Sequence, residues 1–304
     1  MLEKIEVGIR PLVKEFIEAG RPCSSDQNIE ARRTGYLAST ALAGPSPKMF
    51  AEYDTQFNSI KMKVYQPVDG TDLPICIYFH GGCFISGSYL THEQQLRTLA
   101  KNSNCIFVCI EYRLAPEYSY PAAHDDAYQG ALAVKEHAQD IAGNAQKISF
   151  MGDSAGGHLA LATALRLKES ADWLPHKLAL IYPMLDIEGT SASYQRNGYD
   201  YIITNKMLLS GFELYLAGQN VSLNPELNVL KQADFTGLMP IHIITAEFDP
   251  LLDEGLMLFD KLKASGVKVS HNTYSGVIHG FVQLSGVSQS AVTCIKALSK
   301  WISY

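Results

Sequence analysis

Short, continuously apolar runs alternate with amphipathic helical stretches through most of this chain, and that alternation limits its fold more than any other feature. "PICIYFHGG", "CIFVCIEYRL", "KISFMGDS", "KLALIYPMLD" and "PIHIITAEFDP" each read as a strand with little polar interruption. Between most of them lie stretches such as "HEQQLRTLAKNSN", "AAHDDAYQGALAVKEHA" and "AGGHLALATALRLKES", which carry helical spacing. A strand that is apolar on both faces must be covered on both faces, so the pattern predicts a mainly parallel sheet between two helical layers. "FAEYDT" and "SIKMKVYQP" read as an antiparallel pair at one edge, and "KVSHNTYSG" as a last strand before a final helix to Trp301. The expected class is α/β: an eight-stranded, mostly parallel sheet with helices on both faces.

One segment breaks the rhythm. Residues 187–238 hold no clear strand, only the short helical stretch "NKMLLSGFELYLAG". An excursion of that length from a sheet is a natural lid or cap. At the other end, Ile5, Ile9, Leu12, Val13, Phe16 and Ile17 stand at helical spacing, followed by a polar, Gly- and Pro-punctuated region to about Pro47. The expected organisation is therefore 1–47 as an N-terminal helical part of the cap, 48–186 as core, 187–238 as the cap insertion and 239–304 as core again.

Composition narrows the partners. A net charge of −6 and the lack of any basic run disfavour nucleic acid or an anionic membrane surface. No apolar stretch approaches the 18 residues or so of a spanning helix, so no membrane insertion is expected. The first 20 residues mix acids and bases without an apolar h-region, which makes a cytoplasmic protein the expectation. The six cysteines form no C-x-x-C pair and mostly fall in strand-like runs, so buried free thiols are expected rather than zinc ligands.

Ligands of open α/β sheets bind beyond the carboxyl ends of the strands. "KISFM" ends at Gly152-Asp153-Ser154-Ala155-Gly156, a G-x-S-x-G. That pattern suits a sharp strand-to-helix turn with the serine hydroxyl raised above the sheet and helix N–H groups behind it. "IHIITAEF" ends at Asp249-Pro250, and "KVSHNTYSG" is followed by His279. Alone, Asp249 would serve equally as a turn former and His279 as a surface histidine, as most of the other eight histidines are expected to be. Together the order Ser154, Asp249, His279 is that of a nucleophile, an orienting acid and a general base at three strand ends. Asp253 and Glu254 read as first-turn charges of the next helix. "FHGGCF" supplies a glycine loop after the first central strand, whose Gly81, Gly82 and Cys83 N–H groups, with that of Ala155, are the candidate oxyanion donors. Asp153 has no role that the sequence assigns.

These motifs jointly resemble the bacterial hormone-sensitive-lipase-like family of α/β hydrolases, including acetyl esterases. The resemblance rests on His80-Gly81-Gly82-Cys83, "YRLAPE" at 112–117, "GDSAGG" at 152–157, "DPLLDEG" at 249–255 and "HGF" at 279–281. It implies the α/β-hydrolase fold and a serine carboxylesterase acting on short-chain acyl esters through an acyl-enzyme, with no cofactor and no metal. It also implies that Arg113, Pro116 and Glu117 are scaffold. A peptidase or amidase on the same fold and a non-catalytic small-ligand receptor are the alternatives. Where relatives carry a third glycine this chain has Cys83, which keeps its N–H provided the backbone holds a negative φ or tolerates strain. Met207, Leu208, Phe212, Tyr215 and Leu216 share one side of the cap helix. If part of that stripe lines a pocket, bulky Phe212 and Tyr215, with Phe84, favour short acyl chains. A homodimer through the edge strand "KVSHNTYSG" is a further expectation.

Overall fold

The computed structural model of the protein describes residues 2–170, 173–219, 224–231 and 234–303. The parts of the expected cap at 220–223 and 232–233 lie outside the described residues. An eight-stranded sheet runs through the molecule, with strands β1 (Ala51–Phe57), β2 (Ile60–Gln66), β3 (Leu73–Phe79), β4 (Ile106–Ile110), β5 (Gly143–Asp153), β6 (Leu178–Ile181), β7 (Ile241–Phe248) and β8 (Val269–Ile278). Their spatial order is β1-β2-β4-β3-β5-β6-β7-β8. β1 and β2 form an antiparallel hairpin, β2 meets β4 antiparallel, and every other pairing is parallel. The sheet agrees with the pattern read from the apolar runs.

Side-chain alternation divides each central strand between two cores. Ile75, Ile77 and Phe79 of β3 join Ile106, Val108 and Ile110 of β4 in one, with α4 (Ala122–Glu136), α5 (Ala155–Ser170) and α8 (Leu252–Ala264) above them. Cys76 and Tyr78 join Phe107 and Cys109 in the other, under α3 (Tyr89–Ser103) and α9 (Gln289–Ile302). Both layers are dry, which explains strands with almost no polar residues.

The N-terminal region divides in its contacts. Ile5, Ile9 and Val13, around the start of α1 (Arg10–Glu18), pack into the second core, and Glu6 accepts N–H groups at the start of α9. The following helix α2 (Ile29–Ala38) falls in the stretch read as irregular. Asn28 caps it, accepting the N–H of Ala31 at 2.9 Å, and its inward face carries Arg32 and Arg33 rather than an apolar stripe. Between β6 and β7 lie α6 (Ala192–Asn197) and α7 (Asn205–Leu216), the latter capped by Thr204. Arg21 bonds Asp200, Lys206 bonds Asp26 and Arg32 bonds Ser210, so residues 21–32 are stitched to the β6–β7 excursion.

Candidate active site

Ser154 stands alone between the end of β5 and the start of α5, at φ 53°. A non-glycine residue in the left-handed region is held there only by its surroundings. Here its N–H donates to Ile181 at 2.9 Å, and its carbonyl accepts from Met184 and His158, both at 3.1 Å. The flanking glycines are required by close approach. A Cβ at Gly152 would strike the carbonyl of Gly156, and one at Gly156 would strike that of Phe79, where α5 presses on β3.

The three strand-end residues named from the sequence come together. His279 Nε2 lies 3.0 Å from Ser154 Oγ, and His279 Nδ1 lies 2.8 Å from Asp249 Oδ2. Asp249 is fully buried, and its other oxygen accepts the Leu251 N–H at 2.8 Å. Asn197 of α6 donates to the Asp249 carbonyl at 3.0 Å, fixing the loop from the far side. The ring of Tyr182 lies 4.6 Å from that of His279 and limits its tilt. A serine oxygen bonded to one imidazole nitrogen, with a buried carboxylate on the other, can give up its proton to the ring.

Beside Ser154 runs the loop His80–Cys83, and one expectation for it is corrected. The N–H of Gly81 is engaged, donating to Asp153 Oδ1 at 2.9 Å, so it cannot also serve an oxyanion. The N–H groups of Gly82, Cys83 and Ala155 find no acceptor among the described residues. Asp153, left unassigned by the sequence, is the hub of this loop. The same Oδ1 accepts Tyr78 Oη at 2.7 Å and lies 3.0 Å from His92 Nε2. Burial opposes its ionisation, but His92 and the Tyr78 hydrogen bond together hold its carboxyl below the usual aspartate range. Cys83 and the next residue, Phe84, adopt φ 54° and 63°. The loop therefore takes the strained alternative rather than a negative φ at Cys83.

The Y-R-L-A-P-E segment supports the same loop. The Tyr112 hydroxyl donates to the His80 carbonyl at 2.7 Å, and its ring stacks on the imidazole at 4.2 Å. Arg113 forks onto Asp126, while Glu117 takes both ends of Arg33, which also reaches the carbonyls of Ile85 and Ala115.

On the cap side, Phe84 stacks on Tyr215 at 4.5 Å and lies 5.7 Å from Phe212; all three are buried. The Tyr215 hydroxyl bonds His124 Nδ1 at 2.7 Å, and His124 Nε2 meets His158 Nε2 at 3.1 Å. Most histidines are thus not surface residues: His80, His92, His124, His158 and His242 are all buried. Their signal in the sequence was position, since four of them lie in or beside motif or helix segments that pack on the central strands. Glu254 is likewise no ordinary first-turn charge. It is fully buried, accepts the N–H groups of Leu185 and Asp186 after β6, and burial raises its pKa well above the usual glutamate range. Asp253 keeps a bond to the Ser193 N–H at 2.8 Å.

All six cysteines are free; Cys23 is half-buried and the others are buried. Among the described residues no helix is long and apolar enough to cross a membrane, and no group of His, Cys, Asp or Glu is placed to hold a metal ion.

Residues 76–283 match the family described as alpha/beta hydrolase fold. An arylesterase of Saccharolobus solfataricus is 29% identical over 242 residues, 79% of this chain and 79% of the relative. A carboxylesterase of Mycobacterium tuberculosis is 32% identical over 237 residues, 76% of this chain and 74% of the relative. A solved hyperthermophilic esterase from the archaeon Pyrobaculum calidifontis superposes with a TM-score of 0.92 at 30% identity, over 98% of this chain and 97% of its own.

Proposed function

Because the chain belongs to the alpha/beta hydrolase fold family, in its hormone-sensitive-lipase-like branch, we propose that Ser154, His279 and Asp249 are the machinery of a serine carboxylesterase. That the chain is a carboxylic ester hydrolase follows from its esterase relatives. The single observation carrying the residue assignment is the unbroken relay of hydrogen bonds from Ser154 Oγ through His279 to Asp249 Oδ2.

Ser154 Oγ attacks the ester carbonyl carbon while His279 Nε2 takes its proton. Asp249 holds the ring in the tautomer with Nδ1 protonated and stabilises the imidazolium that forms. The tetrahedral oxygen is met by the N–H groups of Gly82, Cys83 and Ala155. The C–O bond to the alcohol then breaks, and His279 returns the proton to the leaving oxygen. Water repeats the sequence on the acyl-enzyme: His279 removes its proton, the carboxylic acid leaves, and Ser154 regains its hydrogen. No cofactor is required.

Residues 21–47 and the segment 187–238 form the cap over this site, and the core comprises 48–186 and 239–304. Phe84, Phe212 and Tyr215 fill the space between cap helix and loop, which favours short acyl chains. The six unpaired thiols suit a reducing, cytoplasmic setting. β8 carries an unpaired outer edge and is the surface through which two copies pair.

The test is hydrolysis of p-nitrophenyl acetate by the wild type and by Ser154→Ala, followed by an acyl series from C2 to C12. Loss of turnover in the variant and a decline beyond short chains are expected. Retention of most activity by Ser154→Ala overturns the assignment.

A further inference from the structure

A buried cation without an acidic partner stands where α2 meets α7. Arg32 is only 8% exposed. One guanidinium nitrogen donates to Ser210 Oγ at 3.1 Å and lies 3.4 Å from the Met207 carbonyl, both neutral acceptors. No carboxylate forms an ion pair with it among the described residues, although the cations around it are matched: Arg33 by Glu117, Arg21 by Asp200 and Lys206 by Asp26. A charge taken out of water without a counter-charge is costly, so a fold retains one where something else answers it.

Arg32 lines a cavity of about 670 Å³ between the two helices, together with Ser25, Asn28, Ser210 and Glu213. An adjoining hollow of about 660 Å³ shares Ser25, Ser210 and Glu213 and extends to Phe212 and Ile187. Either volume suits a small organic ligand. The route from Arg32 toward the reacting serine is short in contacts. Ser210 precedes Gly211, whose Cα faces the side chain of Cys83 in the oxyanion loop. The positive charge of Arg32 is felt at the Cys83 thiol, where it partly offsets the burial that pushes that group up to about 11. Glu213 opposes an anion in the same cavity, but it is exposed and therefore screened, whereas the buried guanidinium is not.

We infer that Arg32 recognises an anionic group, a carboxylate above all, carried by the ester substrate at its end remote from the scissile carbonyl. The inference rests on the esterase reading above and adds the substrate class: esters with a negatively charged tail. Ser25, Asn28 and Ser210 supply the neutral hydrogen-bonding groups around that tail.

The experiment compares kcat/KM for matched pairs of charged and neutral esters. One arm uses monoethyl esters of C4 to C6 dicarboxylic acids against ethyl esters of the corresponding monocarboxylic acids. The other uses acetates of short hydroxy acids against alkyl acetates. In at least one arm the wild type favours the anionic member, and Arg32→Gln lowers that preference about tenfold, the low end of what a charge-assisted hydrogen bond contributes. Arg32→Lys restores part of it, Glu213→Gln raises it, and the neutral esters are hydrolysed equally well by all four proteins. The arm that responds identifies whether the charge sits on the acyl or the alcohol side. Ser154-dependent hydrolysis of neutral esters with no Arg32-dependent preference in either arm overturns this inference and leaves the esterase reading intact. Loss of neutral-ester activity in Arg32→Gln, with no change in the ratio, reduces Arg32 to a packing residue and overturns it equally.

Discussion

Asp153 accepts the N–H of Gly81 at 2.9 Å, which ties the residue before the nucleophile to the first glycine of the oxyanion loop. Because the same oxygen takes the Tyr78 hydroxyl at 2.7 Å, the end of β5, the middle of β3 and the loop after β3 share one acceptor. The distance between the attacking oxygen and the oxyanion donors is therefore set by a carboxylate that never touches substrate. Positioning of this kind matters because errors of about 1 Å cost orders of magnitude in rate.

Asp153→Ala leaves a buried hydroxyl and a buried N–H without their acceptor. A loss of about 2–4 kcal/mol in unfolding free energy is expected, with a fall in kcat exceeding that in any matched surface variant. Asp153→Asn keeps an oxygen for Gly81 and falls between the two. Urea denaturation beside steady-state kinetics on p-nitrophenyl acetate checks both readouts. A wild-type kcat in Asp153→Ala would show that the loop holds its place without the carboxylate.

How much of this was legible beforehand depended on what each residue needed from its neighbours in sequence. The sheet was readable because strands covered on both faces must be apolar throughout, and β3 and β4 are. Ser154, Asp249 and His279 were readable because each sits at a strand end with its own local punctuation. Asp153 was not, because its partners Tyr78, Gly81 and His92 come from other elements and no local spacing relates them. Helix α2 was hidden for a similar reason: the face it turns inward is made of Arg32 and Arg33, whose stems pack while their charges find partners across the fold. Glu254 looked like a helix-dipole charge because nothing in "DEGL" says that Leu185 and Asp186 will present their N–H groups to it.

Stability is expected to peak near pH 6.5. Burial lowers the pKa of His80 to about 3 and lowers those of His124, His158, His242 and His271. The unfolded chain then binds protons at these sites below about pH 6.5 while the folded chain does not, so folding stability falls as pH drops, by about 1.4 kcal/mol per pH unit for each histidine held neutral. Burial raises the pKa of Glu111 to about 7 and that of Glu254 well upward, which has the opposite sign: the folded chain keeps protons that the unfolded chain loses above about pH 4.5. Between these limits five histidines outweigh two glutamates and stability rises with pH. Above about pH 6.5 only the glutamates of this set still act, and it declines. Denaturant midpoints at half-unit pH steps measure the curve. Glu254→Gln should flatten the alkaline limb, and an unchanged limb would remove Glu254 from the account.

Thiol reagents should distinguish two cysteines near the cap. Burial works against ionisation at Cys23, but the hydroxyls of Ser25 at 2.9 Å and Thr204 at 3.3 Å bring its thiol below the usual range. Burial pushes Cys83 up to about 11. One equivalent of iodoacetamide at pH 8 is expected to label Cys23 first and leave ester hydrolysis nearly unchanged, as read by peptide mass mapping. Labelling of Cys83 ahead of Cys23, with loss of activity, would contradict the burial of the oxyanion loop.

Cys83 and Gly211 should behave as one unit. Cys83 sits at φ 54°, where a Cβ is strained, and a Cβ added at Gly211 would collide with the one Cys83 already has. Cys83→Gly relieves the backbone by about 1 kcal/mol but opens a gap under α7 and frees the loop, so the expected net change in stability is small and the expected change in kcat is a decrease. Gly211→Ala alone forces α7 off the loop and costs about 1–3 kcal/mol, the usual range for overpacking. In the double variant the new methyl occupies the space the thiol leaves, so its loss is smaller than the sum of the singles, a coupling that a double-mutant cycle in denaturation and in kcat/KM reads directly. Additive effects at the two positions would mean that the cap helix rests on the loop elsewhere, and that the third residue of the oxyanion motif can vary without regard to what covers it.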